Sequence, residues 1–482
     1  MISAQDSATA ALQFDNLIGG TFVRASSGEE DEVLNPATGD VIARVPRAGL
    51  ADLDLAVEAG RKAFERWSRT TPRERSILLL RLADALEERI EEFAAIESLD
   101  VGKTMAQARG EVEEAVDIFR FFAGVARNLG GVAAGDYREN YTSMLRREPL
   151  GVVGLISAWN FPLMIAAFKI APALGAGNVV VFKPSEITPL STLKFAQLAS
   201  EIFPPGVVNV LTGLGSLGAG IAGHRGISMV SFTGGSETGR NVARAAAGNL
   251  KRVSMELGGN APVIVLDDAD VDALVARLRF VSFVNSGQAC TAACRVIAQE
   301  GVFEKVLEAL VPTIESIRVG DPASGPEIEM GPLVSAAHQQ RVLGYLGRTR
   351  GEILTGGGAI GDKGFFVQPT LVAGLDQRDE MVQDEIFGPV VTVQRVSSPE
   401  QAITYANDVK YGLSGSIWTR DIGRAMSAVQ RLDFGQVWVN DHLSSVPEMP
   451  NGGFKDSGYG TDSSAYGLEE YTRMKHVWIA VN

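Results

Sequence analysis

The spacing of apolar positions changes several times along the chain. Residues 17–47 alternate turns with short runs such as Leu17-Ile18-Gly19-Gly20-Thr21-Phe22-Val23, which predicts an N-terminal hairpin region. From Leu50 to about Leu129 apolar residues recur at three and four, as in Ala56, Ala59, Ala63 and Trp67, and again in Leu79, Leu82, Leu86 and Ile90. That period predicts helices. Thr71-Pro72-Arg73-Glu74 supplies a helix start, with a capping hydroxyl and proline at the first helical position. Residues 132–148 break the period. Within them 137–147 predicts one extended polar strand, and 475–481 predicts another. Paired in a small sheet, they would leave an edge that invites a second subunit.

From Pro149 to Gly258 apolar strands and helical stretches alternate, with strands predicted at 151–157, 178–183, 207–212 and 229–233. A second alternating series follows, with strands at 262–266, 294–298, 366–371, 386–393, 415–418 and 437–440. This alternation predicts an α/β fold of two open parallel sheets wound with helices, joined near Glu256-Leu257-Gly258-Gly259-Asn260. The apolar segment 151–182 is interrupted by Trp159-Asn160-Phe161-Pro162, Lys169 and Pro172, so it does not read as a membrane span. Residues 1–20 carry no Lys or Arg and no long apolar run, and do not read as a secretory or transit peptide.

Composition narrows the class. The chain has 482 residues, 45% hydrophobic and 21% charged, which reads as soluble and globular with a large core. A net charge of −14 disfavours nucleic acid as a partner. Two cysteines exclude a disulfide framework and point to a reducing, cytoplasmic setting. The four histidines are scattered, so no metal site is expected.

Both cysteines, Cys290 and Cys294, fall in Asn285-Ser286-Gly287-Gln288-Ala289-Cys290-Thr291-Ala292-Ala293-Cys294. A reactive cysteine needs an exposed site that lowers its pKa, and a helix starting nearby would favour the thiolate. Two buried core cysteines are the plainer alternative. Gly213-Leu214-Gly215-Ser216-Leu217-Gly218 and Phe232-Thr233-Gly234-Gly235-Ser236-Glu237-Thr238-Gly239 each follow a predicted strand and open a helix, where free N–H groups meet a phosphate; ordinary turns would look the same. Glu186, at the end of another strand, suits ribose hydroxyls or is a plain loop carboxylate. Asn160 is a candidate oxyanion donor or a helix cap. Glu256 is a base with a raised pKa or a paired structural carboxylate.

Taken together, Trp159-Asn160-Phe161-Pro162, Lys183-Pro184-Ser185-Glu186, Phe232-Thr233-Gly234, Met255-Glu256-Leu257-Gly258-Gly259-Asn260, Gly287-Gln288-Ala289-Cys290-Thr291-Ala292 and Glu385-Ile386-Phe387-Gly388-Pro389 resemble the aldehyde dehydrogenase superfamily, from about Leu17 to Trp478. The resemblance implies two Rossmann-like domains and a small β oligomerisation domain: residues 1–128 and 149–257 for NAD, 258–458 for catalysis, and 129–148 with 459–482 for assembly into a homodimer or homotetramer. It implies Cys290 as nucleophile, Asn160 with the Cys290 N–H as oxyanion hole, Glu256 as the base for water, and Lys169 and Asp462 as aids to proton transfer. It implies a cofactor surface of Ile156, Trp159, Lys183, Ser185, Glu186, Gly215, Phe232, Gly234, Gly235, Gly239, Leu257, Glu385 and Phe387. The cofactor it implies is NAD, with NADP possible. Three positions depart from the family's habit: Ala158 for Pro, Gly235 for Ser, and the extra thiol of Cys294.

The implied reaction oxidises an aldehyde to its acid through a cysteine thiohemiacetal and thioester. Glu256 argues against a coenzyme-A-acylating variant. Trp438 to Pro450 looks like the γ-aminobutyraldehyde and betaine-aldehyde branch. The expected substrate channel is Glu111, Glu114, Phe161, Met164, Phe168, Ala289, Thr291, His442, Leu443 and Glu448. Glu111 and Glu114 would attract an ammonium, whereas Phe119, Phe161 and Phe168 would favour an aromatic aldehyde. The competing classes are a non-catalytic protein on the same scaffold and a cofactor-free thiol hydrolase.

Overall fold

A computed structural model describes residues 12–130 and 134–481. Most of the N-terminal stretch judged free of a targeting signal lies outside the described residues.

Two large sheets dominate. In the first, five strands run parallel: Val152–Ile156, Val179–Lys183, Val208–Val210, Met229–Thr233 and Arg252–Glu256. Val152–Ile156 and Val179–Lys183 are buried along their whole length, as expected of strands covered by helices on both faces. Numbered in chain order, the five lie 5-4-1-2-3, so the winding reverses between Val152–Ile156 and Met229–Thr233. An antiparallel hairpin, Asn16–Ile18 with Thr21–Val23, closes one edge. The pair Gly458–Tyr459 closes the other against Arg252–Glu256. The expected boundary at 458/459 therefore cuts through a strand of this sheet.

Four helices, Leu50–Trp67, Pro72–Glu87, Ile90–Val101 and Met105–Val125, fill the region where the sequence shows a helical period. Thr71 begins the second as expected: Glu74 N–H donates to its hydroxyl at 3.3 Å, and its own N–H donates back to the Glu74 carboxylate at 2.6 Å. Such a capping box contributes about 1 kcal/mol.

The second sheet contains Glu352–Thr355, Thr370–Ala373, Val390–Val396, Ala293–Gln299, Ala261–Val265, Ser414–Trp418 and Gln436–Val439, in that spatial order. All pairs are parallel except Glu352–Thr355 against Thr370–Ala373. Three expectations need correction. The strand expected at 386–393 starts at Val390, because Phe387 takes φ 61° and ends the extended path. The one expected at 366–371 is shifted to Thr370–Ala373. Arg252–Glu256 and Glu352–Thr355 have no continuous apolar run and escaped the pattern altogether.

Residues 137–147 are not one strand. Asn140, at φ 64°, turns the chain between Gly135–Arg138 and Tyr141–Pro149. Tyr141–Pro149 pairs antiparallel with Thr472–Ala480 over nine residues, forming a small third layer. Among the described residues no helix is long and apolar enough to cross a membrane.

Candidate active site

The first sheet hands the chain to the second through Leu257–Asn260, between Arg252–Glu256 and Ala261–Val265. Ala261 pairs with Ala293, three residues after Cys290. This register seats the cysteine turn against the link that carries Glu256. A Cβ on Gly259 would stand 2.1 Å from the Cys290 carbonyl oxygen, so only glycine permits the approach.

Cys290 does not open a helix. It lies in a turn closed by Ala292 N–H donating to Ala289 O at 3.0 Å. The preceding residues Asn285, Ser286 and Gly287 all have positive φ (49°, 59° and 72°). That conformation is costly for non-glycine residues, and it is held by side chains. Asn285 Nδ2 donates to Asn160 O at 2.9 Å, Ser286 Oγ donates to Gly331 O at 2.8 Å, and Gln288 Oε1 accepts from Val334 N–H at 2.9 Å. The thiol is not acidified either. Burial, then the carboxylates of Glu385 and Glu256, push it up to about 12, while the N–H groups of Cys290 and Thr291 pull the other way.

Asn160 sits between Val152–Ile156 and helix Pro162–Gly175, almost fully buried. Its Nδ2 donates to Gln288 O at 3.1 Å, which uses one of its two N–H groups. Glu256 ends its strand with Oε1 buried and without a partner. Burial and the neighbouring Asp462 hold its carboxyl well above the usual range, opposed by Lys169. Lys169 Nζ lies 3.6 Å from Asp462 and donates to Ser231 Oγ at 2.9 Å. Cys290, Asn160, Glu256 and Asp462 all form walls of one cavity of about 1150 Å³.

A parallel sheet binds ligands at the C-terminal edge of its strands, where the winding reverses. Here that edge presents Ile156 beside Lys183 and Thr233 beside Glu256. Helices Gly215–Gly223 and Ser236–Ala247 start from the same edge, and neither has a side-chain cap. The leading N–H groups of Gly215 and Ser236 face this edge without a side-chain cap, and a Cβ on Gly215 or Gly235 would meet open space. Lys183 and Glu186 pair at 3.0 Å. These groups fit a dinucleotide's phosphates and ribose. Gly239 has a different role: a Cβ there would strike Leu257 at 2.6 Å, so it serves close packing.

At the far end Glu385 accepts Gly259 N–H at 2.8 Å, and burial lifts its carboxyl to about 7. Phe387 packs edge-on to Trp159, ring centres 5.2 Å apart. His338 and Arg341, both missed in the sequence, hold this segment: His338 Nε2 lies 2.6 Å from Phe387 O, and Arg341 donates to Glu385 O at 2.7 Å. Burial lowers His338 to about 4, so the ring is neutral. Cys294 joins the same scaffold. Its thiol donates to Asn260 Oδ1 at 3.0 Å, and Asn260 Nδ2 donates to Val382 O at 2.7 Å, just before Glu385.

Of the expected channel residues, Glu111, Glu114, Phe161, Met164, Phe168, Ala289, Thr291 and Leu443 line the large cavity. Two do not. His442 is fully buried behind it, bridging Thr291 O and Ser416 Oγ at 2.8 Å each, and Glu448 is exposed outside it. Phe119 is core, stacked on Phe195. Phe280, Trp438, Val446 and Met449 complete the wall without having been anticipated. Glu111 is not an open carboxylate: Lys103 is bonded to it, and burial, then Glu97, raise it to about 8. Glu114 accepts from Ser445 Oγ at 2.9 Å.

Two wound sheets, a dinucleotide-binding edge and a cysteine turn define a dinucleotide-dependent oxidoreductase that works through a thiol. The sequence profile of the aldehyde dehydrogenase family matches residues 22–477, and the chain belongs to that family. It is 39% identical over 472 residues to betaine aldehyde dehydrogenase of Bacillus subtilis (strain 168), covering 96% of each chain. Betaine aldehyde dehydrogenase from Staphylococcus aureus in complex with NAD+ superposes with a TM-score of 0.95 at 36% identity, covering 97% of this chain and 95% of that one. A putative aldehyde dehydrogenase from Burkholderia cenocepacia gives the same score at 42% identity, covering 98% of both.

Proposed function

We propose that the protein oxidises a cationic aldehyde, an ω-amino aldehyde such as γ-aminobutyraldehyde, to its carboxylic acid with NAD. The observation that carries the reaction is the convergence of Cys290, Asn160 and Glu256 on one cavity against the dinucleotide edge. Cys290 loses its thiol proton to water, its thiolate sulfur attacks the carbonyl carbon and makes it tetrahedral, and the remaining Asn160 N–H and the Cys290 N–H meet the developing oxyanion. A bound nicotinamide would supply the hydride acceptor. The resulting thioester is hydrolysed by water deprotonated at Glu256, and Lys169 with Asp462 carries that proton onward. Overall, aldehyde, NAD+ and water give carboxylate, NADH and two protons.

A cationic substrate is supported by the aromatic wall of Phe161, Phe168 and Trp438, by Glu114, and by the chain's net negative charge. Betaine aldehyde is the second reading, favoured by the names of the relatives. NAD is preferred over NADP because the Glu186 carboxylate would oppose a ribose phosphate. In a panel, γ-aminobutyraldehyde and betaine aldehyde should exceed benzaldehyde in kcat/KM by about tenfold or more, since a desolvated cation on aromatic rings gains about 2 kcal/mol. Equal values for all three would exclude the cationic reading. The same assay with NADP checks the cofactor.

The strand Thr472–Ala480 carries Met474, Trp478 and Ile479 exposed at the edge of its sheet. Pairing there gives a homodimer or homotetramer. Light scattering on the eluted protein should show twice or four times the 51.2 kDa chain mass, and a monomer refutes it.

A further inference from the structure

We propose that the buried Glu97–Lys103–Glu111 cluster is a positioning element for the oxidation, clamping the first turn of helix Pro162–Gly175 so that the Asn160 amide stays beside Cys290. This rests on the reading of Asn160 as the oxyanion donor.

The need for a clamp follows from the local sequence. A helix leaves its first N–H groups without intrahelical partners, and a polar residue just before it normally accepts one. Here that position is Phe161, which offers no such bond and is committed to the cavity wall. The acceptor comes from elsewhere. Leu163 N–H donates to Glu97 Oε1 at 3.2 Å. Glu97 lies on helix Ile90–Val101 and Glu111 on helix Met105–Val125. Lys103 stands in the link between them. Its Nζ is 3.2 Å from Glu97 Oε2, is bonded to Glu111, and lies 4.5 Å from the centre of the Phe161 ring.

The three side chains are nearly inaccessible, at 0%, 1% and 5% exposure. A carboxylate at the positive end of a helix is favourable, and Lys103 ties Glu97 to Glu111. A surface ion pair is weak and adjustable. A dry triad has one arrangement, because any displacement leaves a charge unmatched. The clamp is confined to the turn that begins two residues after Asn160.

A second arm reaches the nucleophile. Gln107 lies one helical turn before Glu111, and its Oε1 accepts Asn285 N–H at 3.3 Å. Asn285 Nδ2 in turn donates to Asn160 O. Helix Met105–Val125 thus reaches the cysteine loop through Gln107 and braces, through Glu111 and Lys103, the carboxylate that holds the oxyanion turn.

The test is a double-mutant cycle on the full-length protein, with rates normalised to active sites by NADH burst amplitude. Asn160→Ala alone should lower kcat/KM about 10²–10³-fold, the usual effect of losing an oxyanion donor. Glu97→Ala, outside the cavity wall, should lower kcat about tenfold or more with KM for NAD unchanged, as misplacement near a reacting centre does. Glu97→Gln, which keeps an acceptor for Leu163 N–H, should restore most of it. In the Asn160→Ala background Glu97→Ala should cost less than about twofold, because partners on one path are not additive. An equal loss in both backgrounds, or a lower Tm with kcat intact, overturns the proposal while leaving Asn160 as donor. A harmless Asn160→Ala overturns both. Should Glu97→Ala not fold, Glu97→Thr, which shortens the side chain away from Leu163 N–H, is read in the same cycle and must likewise lose its effect without the Asn160 side chain.

Discussion

Cys290→Ala is expected to abolish aldehyde oxidation, by about 10⁴-fold or more, while NAD binding persists. The aldehyde hydrogen leaves as hydride only from a tetrahedral carbon carrying electron-rich oxygen, and Cys290 is the side chain in the cavity able to produce that carbon covalently. Its loss leaves the dinucleotide edge intact, since Lys183, Gly215 and the start of helix Ser236–Ala247 stand on the first sheet. NADH absorbance reads the first effect and a fluorescence titration with NAD the second. Turnover in the purified variant would end the assignment. The wild-type thiol also has a pH signature. Burial with Glu385 and Glu256 holds it near 12, so in the free protein the thiolate fraction grows about tenfold per pH unit below that value. Site-resolved alkylation of Cys290 should therefore keep rising through alkaline pH. A plateau near neutrality would mean that the free thiol is already ionised.

Glu256→Gln should separate the two halves of the reaction. Acylation and hydride loss do not require its carboxylate as base, so one equivalent of NADH should form rapidly per site. Hydrolysis of the thioester does, and steady-state turnover should fall about 10²–10⁴-fold. An unchanged steady-state rate would remove Glu256 as base. The pH dependence follows from its surroundings. Burial and Asp462 favour the neutral acid, while the working form is the carboxylate. In the wild type kcat should therefore fall as pH falls through a pKa above the ordinary carboxylate range. Lys169 opposes that rise, so Lys169→Met should move the profile to still higher pH. A shift to lower pH would contradict the arrangement.

Much of the site was legible because its groups fall in short local signatures. Cys290 stands out as one of two thiols, and Glu256 as a glutamate in an otherwise apolar junction before Gly258-Gly259. The supporting groups were not legible. Lys103, His338 and Arg341 act on residues dozens of positions away, and nothing in their own neighbourhoods marks them. His442 and Glu448 were drawn into the channel by their place in a suggestive segment; one is sealed behind Thr291 and the other faces outward. The residues around Cys290 left a reactive thiol and a buried core one both open; burial raises its pKa, and the carboxylates that add to it, Glu385 and Glu256, lie 95 positions after it and 34 before it.

By itself the sequence determined the two wound sheets, the helical layer and the candidate groups of the site, because hydrophobic period and strand-end motifs are local properties of the chain. Only the tertiary structure decided the environment of those groups: a buried thiol with a raised pKa, a buried carboxyl beside Asp462 and Lys169, and a cavity glutamate already paired with a lysine. Charge, burial and reach depend on which distant segments the sheet register brings together. The pairing of Ala261 with Ala293 sets Glu256 against the Cys290 turn.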